Sequence, residues 1–403
     1  MGGPRVLYVS SALGLGHVSK DLAIAHELRS LRPDIDVLWL TGKPASEILA
    51  AAGETVLPEA TRWRGGTTIA EGALRDGQLD LITYIYRSLP AWAYNARLFH
   101  HVIADYGVDL VIGDETWEIV IPLNLRLLHP RIPFFMLFDF VGTEAVTGRL
   151  FDRVRSYLLN VVWSSDAKAF ARGPYSEIFI GEIEDVPDAP FGRGLPNRRE
   201  HARAHYVVVG HCVDFRPEQF ADRGAVRRRL GYDDRPLVIC SVGGTAIGRE
   251  LLELCGRAYA PLADLLPGVH MVLVCGPRLP ADSLTVPDDV DVRGYVPNLV
   301  EHHACCDVAI VQCGASSTTE LAALGTPFIY FPIEGHFEQE FVAARLARHG
   351  AGKRMSLAET TGDDLARAVH EQYLDPRTST PMPVDGARKA ARHIAPALDA
   401  RAA

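Results

Sequence analysis

The chain has 403 residues, more than one hydrophobic core usually serves, so two domains are expected. Its apolar fraction of 48% suits ordinary globular cores. The net charge of -9 argues against a general nucleic-acid surface and, mildly, against rest on an anionic membrane.

Residues 5–10, "RVLYVS", read as a buried strand. "GLGHVSKDLAIAHEL" follows at 14–28, with Leu22, Ala25 and Leu28 at helical spacing. Gly14 and Gly16 stand where a dinucleotide-binding fingerprint has its first two glycines. Val18 and Ser19 stand where the third should be, and the turn carries His17 instead. Further strands are expected at 36–40, 109–113, 133–138, 176–180 and near 206–210, mostly separated by helices. That alternation makes a parallel sheet covered on both faces. Residues 78–106 are rich in aromatics. They read as helices packed on the N-terminal domain, or as an aromatic-lined pocket using Tyr84, Tyr86, Trp92 and Tyr94.

The pattern breaks between 181 and 235, which places a boundary near 211–220. Arg193, Arg198, Arg199 and Arg203 read as a solvated loop, and "AVRRRLGY" as the solvated face of a helix. The expected division is 1–212, 213–385 and a polar, Ala-rich helical tail at 386–403. All seven cysteines lie after residue 200, without a CxxC pair, and read as reduced, mostly buried thiols of a cytoplasmic protein. No charged leader precedes a long apolar core, so no signal peptide is expected. No apolar run approaches the roughly 18 residues of a membrane span. The spacings Asp34-x-Asp36 and Asp289-x-Asp291 read as turn chemistry before strands, and no metal site is expected.

In the second half, strands are expected at 236–242, 269–275, 307–312 and 327–331, with helices at 247–265, 316–324 and 337–348. The strand ending at Gln312 runs into Cys313, Gly314, Ala315, Ser316, Ser317 and Thr318. Small residues, hydroxyls and a helix start outline an anion site; plain N-capping by Ser316 or Ser317 is the alternative. Glu320 either complements the helix dipole or accepts two ribose hydroxyls. "SVGGTAIG" offers a second glycine turn, with Gly243, Gly244 and Thr245. Backbone at Val296 suits a base edge, and Glu338 and Gln339 follow another Gly-containing turn. All these turns follow strand ends of one parallel sheet, so they gather on one side of it.

The order and spacing of "GHVSKDLAIAHEL" and of "GYVPNL" through "EGHFEQ" resemble the GT-B glycosyltransferases. The likeness is to the bacterial peptidoglycan N-acetylglucosaminyltransferase family and, more loosely, to natural-product and plant glucosyltransferases. It implies an α/β protein of two Rossmann-like, doubly wound parallel-sheet domains with a cleft between them. The expected function is inverting, metal-independent transfer from a nucleoside diphosphate sugar to an acceptor hydroxyl, with no cofactor. Uracil, thymine and guanine all remain open as the base, with UDP- or dTDP-sugars preferred. His17 becomes the general base and Asp114 the acid that orients it, with Glu115 competing for that role. Gly244, Thr245, Gly314, Ser316, Ser317 and Thr318 are expected near the diphosphate, Glu320 at the ribose, and Glu338 and Gln339 at the sugar. Gly16, Glu115, Trp117, Tyr84, Trp92 and Asp139 are weaker acceptor-side candidates. The expected partners are the donor and a hydroxyl-bearing small or lipid-linked acceptor. No nucleic acid is expected, peripheral membrane contact stays open, and the chain is a monomer or homodimer. Three positions depart from the pattern: Gln312 where many relatives have His, Val342 where many have Asn, and Lys20 where proline is common. A nucleotide-sugar 2-epimerase and a non-catalytic partner protein of the same fold are the rival readings.

Overall fold

The computed structural model describes residues 3–11, 15–64, 74–75, 78–79, 81–128, 130–144, 150–243, 248–276, 279–333, 337–375 and 382–399. At 15, 74–75, 78–79, 81–86 and 337 it describes the backbone alone. The chain forms two compact units, Met1–Asp214 with Val384–Ala403, and Phe215–Pro383.

The first unit holds a parallel sheet of β1 (Arg5–Val9), β2 (Asp36–Leu40), β3 (Thr55–Val56), β4 (Leu110–Asp114), β5 (Phe134–Phe138), β6 (Tyr175–Phe179) and β7 (Tyr206–Val208), in the order β3-β2-β1-β4-β5-β6-β7. Its helices include α1 (Leu15–Leu31), α2 (Leu81–Asp105), α3 (Trp117–Asn124), α4 (Leu150–Trp163) and α5 (Arg198–His205). Every residue of β4 and β5 is buried, which explains why they read as unbroken apolar runs. Phe99, Val111, Phe134, Met136 and Phe138 belong to one core cluster, while Tyr8, Ile24, Leu28 and Trp39 belong to another.

The second unit repeats the plan. Strands β8 (Leu237–Ser241), β9 (His270–Val274), β10 (Asp291–Arg293), β11 (Val308–Gln312), β12 (Phe328–Phe331) and β13 (Lys353–Arg354) pair in the order β10-β9-β8-β11-β12-β13, all parallel. Helices α6 (Arg223–Arg229), α7 (Arg249–Leu265), α8 (Leu299–Cys305), α9 (Ala315–Leu324), α10 (Phe337–His349) and α11 (Gly362–Leu374) accompany it. Both sheets therefore carry the doubly wound order, and each has one switch point, between β1 and β4 and between β8 and β11.

The structure differs from the sequence reading in three places. The tail is α12 (Gly386–Ile394), whose Ala387, Ala390, Ala391 and Ile394 are buried in the same cluster as Ile24 and Leu28 of α1. Its polar residues occupy one face only, and the alanines let it approach closely. Arg198, Arg199 and Arg203 lie on α5 rather than in a loop; Arg198 is buried, its Nη2 2.7 Å from Glu144. The arginine run of α6 is not wholly solvated either. Arg227 donates to the Cys305 carbonyl at 2.8 Å and to Asp307 at 2.7 Å, tying α6 to the end of α8.

All seven cysteines are free thiols; six are buried and Cys212 is half-buried. Burial pushes the thiols of Cys212, Cys240, Cys275, Cys305, Cys306 and Cys313 upward, those of Cys305 and Cys313 to about 11 and about 12.

Candidate functional site

At the first switch point, α1 begins just after β1, and β4 ends in Asp114. His17 Nδ1 lies 2.6 Å from Asp114 Oδ2 and 3.6 Å from Asp139 Oδ2. Lys20, one turn further along α1, reaches the same two acids: its Nζ is 2.9 Å from Asp114 Oδ1 and 2.5 Å from Asp139 Oδ2. Residues three apart on a helix share a face, so one side of α1 supplies both cations. Asp21 accepts from Tyr8 Oη at 3.0 Å and from Ser10 Oγ at 2.5 Å. Asp114 and Asp21 have no exposure, whereas the side chains of His17 and Asp139 keep 18% and 33%. Those two are the members of the group that a substrate can touch.

Burial opposes each charge here, and the partners decide the outcome. Burial pulls the His17 imidazole down, but Asp114 outweighs it and the pKa rises to about 10. Burial pushes the Asp114 carboxyl up, but Lys20 and then His17 overcome it, to about 2. Burial disfavours the Lys20 ammonium, yet Asp114 and Asp139 hold its pKa above the ordinary value. Asp21 rises through burial and the neighbouring Asp114 charge. Next in the chain, Glu115 takes φ 47 and donates its N–H to the Leu137 carbonyl. That left-handed conformation is uncommon for a non-glycine residue and often marks a working site.

At the second switch point the parts are different. Gly314 caps α9 in an extended conformation, with no side-chain bond to the helix start. Ser316 and Ser317 are half-buried in the first turn, where helix N–H groups and the dipole favour an anion. Glu320 follows on α9; burial alone raises its carboxyl to about 7. The ends of β8 and β9 approach closely: a Cβ on Gly276, whose φ is +74°, would lie 2.3 Å from the Gly243 carbonyl oxygen. Only glycine suits that position.

The protein's likenesses agree with this geometry. Residues 238–397 match the glycosyltransferase family 28 C-terminal domain. An uncharacterized glycosyltransferase of Methanopyrus kandleri is 31% identical over 330 residues, covering 80% of this chain and 87% of the relative. The chain belongs to the glycosyltransferases. The enzyme is also 25% identical over 374 residues to the UDP-N-acetylglucosamine–N-acetylmuramyl-(pentapeptide) pyrophosphoryl-undecaprenol N-acetylglucosamine transferase of Clavibacter michiganensis, covering 90% of this chain and 86% of that one. Among solved structures, the glycotransferase of kitacinnamycin superposes with a TM-score of 0.63 at 18% identity, over 99% of this chain and 97% of that one. The fold is GT-B. These likenesses favour transfer over the epimerase alternative.

In this glycosyltransferase, the acid that meets His17 is Asp114, while Glu115 sits on the adjoining strained residue. Asp139 joins the same group, and Gly16 lies half-buried in the first turn of α1. Trp117 packs edge-on against Trp163, ring centroids 4.6 Å apart, among the aromatics of the core. Trp92 is half-buried on α2, and the Tyr84 side chain lies outside the described residues. Gly244 and Thr245 also lie outside them. Thr318 is buried, and its hydroxyl donates to the Gly314 carbonyl at 2.7 Å, so it braces the turn instead of facing a ligand. Gln339 Oε1 accepts from the Ile333 N–H at 2.7 Å, bracing the chain after β12. Glu338 is exposed at the start of α10, and Val296 is half-buried just past β10. Two groups of described residues have ligand atoms close enough to hold a metal ion: His17, Asp114 and Asp139, and Glu182, Asp185 and His211. In the first, the Lys20 ammonium already stands between the two carboxylates. Sequence reasoning passed over the buried roles of Lys20, Asp21 and Ser10. The available signal was two ionisable residues one turn after His17, directly before the apolar run at 22–25.

Proposed function

We propose that the protein is an inverting glycosyltransferase that needs no metal. It moves a sugar from a nucleoside diphosphate sugar, UDP- or dTDP-linked, to the hydroxyl of a small natural-product or lipid-linked acceptor. The observation that carries this is the 2.6 Å contact between His17 Nδ1 and a fully buried Asp114 at the switch point of the first sheet. Asp114 fixes the ring so that Nδ1–H donates to it, leaving Nε2 to take a proton. The acceptor hydroxyl loses its proton to Nε2 as its oxygen attacks the anomeric carbon. The bond from that carbon to the diphosphate breaks, and one displacement inverts the centre. Asp114 then balances the imidazolium. In the second unit, the start of α9 with Ser316 and Ser317 stabilises the negative charge of the leaving diphosphate. Glu320 accepts the ribose hydroxyls.

The raised His17 pKa has a kinetic consequence. The protonated ring cannot act as base, so turnover climbs with pH as His17 loses its proton, towards a limb near 10. The relative from Clavibacter supports a UDP-sugar as the first donor to test. Exposed apolar side chains along α4, namely Leu150, Phe151, Val154 and Leu158, support an acceptor with an apolar portion or peripheral membrane contact. No helix among the described residues is long and apolar enough to cross a membrane. The free thiols support a cytoplasmic location.

The test is twofold. Thermal shift with UDP, dTDP and GDP should show selective stabilisation by one of them. UDP release from UDP-N-acetylglucosamine should depend on an added hydroxyl acceptor and vanish in His17→Ala, whose nucleotide binding stays intact. Failure of all three nucleotides to bind would remove the donor reading. Unchanged turnover in His17→Ala would remove the base.

A further inference from the structure

Two acids converge on one imidazole in the first unit, and that is a difficulty for a base. Asp114 Oδ2 is 2.6 Å and Asp139 Oδ2 3.6 Å from His17 Nδ1. Two carboxylates this close hold the ring in its charged form. If nothing offset them, releasing that proton would strand two negative charges in a largely buried group. Lys20 changes the balance. It is buried, and its ammonium is 2.9 Å from Asp114 and 2.5 Å from Asp139, so it pairs with both. With Lys20 charged, the neutral imidazole leaves a single net negative charge in the group.

We propose that Lys20 is a positioning residue: its ammonium, held between Asp114 and Asp139, is the counter-charge that lets His17 give up a proton and serve as base. The inference rests on the reading of His17 as the base. It gives a function to the residue that stands where proline was expected from the resemblance. Alpha-helix α1 contributes His17, Lys20 and Asp21; β1 and its end contribute Tyr8 and Ser10. The end of β4 contributes Asp114 and Glu115, the end of β5 Asp139, and the segment after β7 Cys212. Asp21 is bonded by Tyr8 and Ser10, and burial raises both its carboxyl and the Cys212 thiol, which favours their neutral forms. Lys20 is thus the cation that meets both acids facing His17. Its charge also acts directly on the ring in the direction of deprotonation.

The experiment follows the His17 ring itself and needs no substrate. The full chain is labelled with ring-carbon-13 histidine, the His17 resonance is assigned by its loss in His17→Ala, and its titration midpoint is recorded. Lys20→Met and Lys20→Gln should each raise the midpoint by about one unit or more, a tenfold gain in proton affinity. Lys20→Gln keeps a hydrogen-bond donor and covers the case in which Lys20→Met does not fold. Lys20→Arg, which keeps the charge, should leave the midpoint near that of the wild type. A midpoint unmoved or lowered in a folded neutral variant would overturn the proposal. So would an upward shift in Lys20→Arg as large as in Lys20→Gln, because shape and not charge would then be responsible. The base reading fails separately, through turnover retained in His17→Ala, an outcome that leaves these midpoints as they are.

Discussion

The two switch points of this enzyme occupy the same place in the same kind of sheet, and they are built from opposite materials. The first is crowded with ionisable side chains: His17, Lys20, Asp114 and Asp139 paired with one another or with a shared partner, and Asp21 bonded to Tyr8 and Ser10 beside them. The second is mainly backbone and hydroxyl: Gly243 and Gly276 in close approach, Gly314 at the cap of α9, Ser316 and Ser317, and one carboxyl at Glu320. A parallel sheet gathers loops at its C-terminal edge whatever they contain. Under the proposed function, the contrast lets one architecture serve two tasks. A proton-transfer site needs charges whose balance can change, whereas an anion cradle needs fixed dipoles that do not titrate.

The sharpest way to break this comparison is to damage the first site without touching the second. Asp114→Asn removes the charge that orients and balances His17. By analogy with other base-orienting acids, turnover should fall by about 10³–10⁴-fold. The dissociation constant for UDP, measured by calorimetry, should stay within about twofold, a change of about 0.4 kcal/mol. Nucleotide affinity falling together with turnover would show that the division of labour is wrong.

The reverse experiment is smaller. Glu320→Gln should weaken UDP by about 10-fold or more, the range of hydrogen bonds to a charged group. The pH dependence adds a sign. The Glu320 carboxyl is raised to about 7, so below that pH it is neutral, and its ionisation on ligand binding releases a proton. Wild-type affinity should therefore rise relative to Glu320→Gln as pH climbs through 7, then level off. Using the variant as the baseline cancels the ionisation of the ligand's own phosphate. A constant ratio between the two proteins from pH 6 to pH 8 would displace Glu320 from the ribose.

The smallest effect serves as a control inside the first unit. Glu177 on β6 is buried beside Asp166, and burial followed by that acid raises its carboxyl to about 10. Because the folded pKa lies above the ordinary 4.5, the folded state holds the proton more tightly. Stability from this group is complete below about 4.5 and is lost as pH rises towards 10. Glu177→Gln should remove that slope, so its advantage over wild type in Tm grows from pH 5 to pH 9. Turnover of the folded protein should not change. A buried carboxyl that alters stability alone would confirm that the cluster at β1 and β4 is special for its chemistry and not merely for being buried.

Much of this was legible in the residues. Runs such as "RVLYV", "LVIGD" and "VAIVQ" are strands because they are buried on both faces, and their apolar continuity says so. His17 was conspicuous because an imidazole replaced what a glycine turn normally carries. Lys20 was not. A lysine in a helix reads as solvated until the helix is laid against a strand end 94 residues later, and only that long-range placement buries it. The Thr318 hydroxyl poses the same problem on a shorter scale. Whether it points to a ligand or back to the Gly314 carbonyl depends on a rotamer, and rotamers leave no trace in spacing. The return of α12 to the first unit was readable in part. The tail read as a polar, Ala-rich helix, but nothing local named the partner helix.

The cysteines carry a practical consequence of their own. Six thiols are buried, and the half-buried Cys212 is held in its unreactive neutral form. The native chain should therefore react little with maleimides, which thiol labelling of the folded protein checks. A single cysteine introduced on the surface of either unit becomes an addressable handle without first stripping the protein of its own. A pair of such handles, one in Met1–Asp214 and one in Phe215–Pro383, would make a two-colour distance reporter, readable one molecule at a time with and without nucleotide.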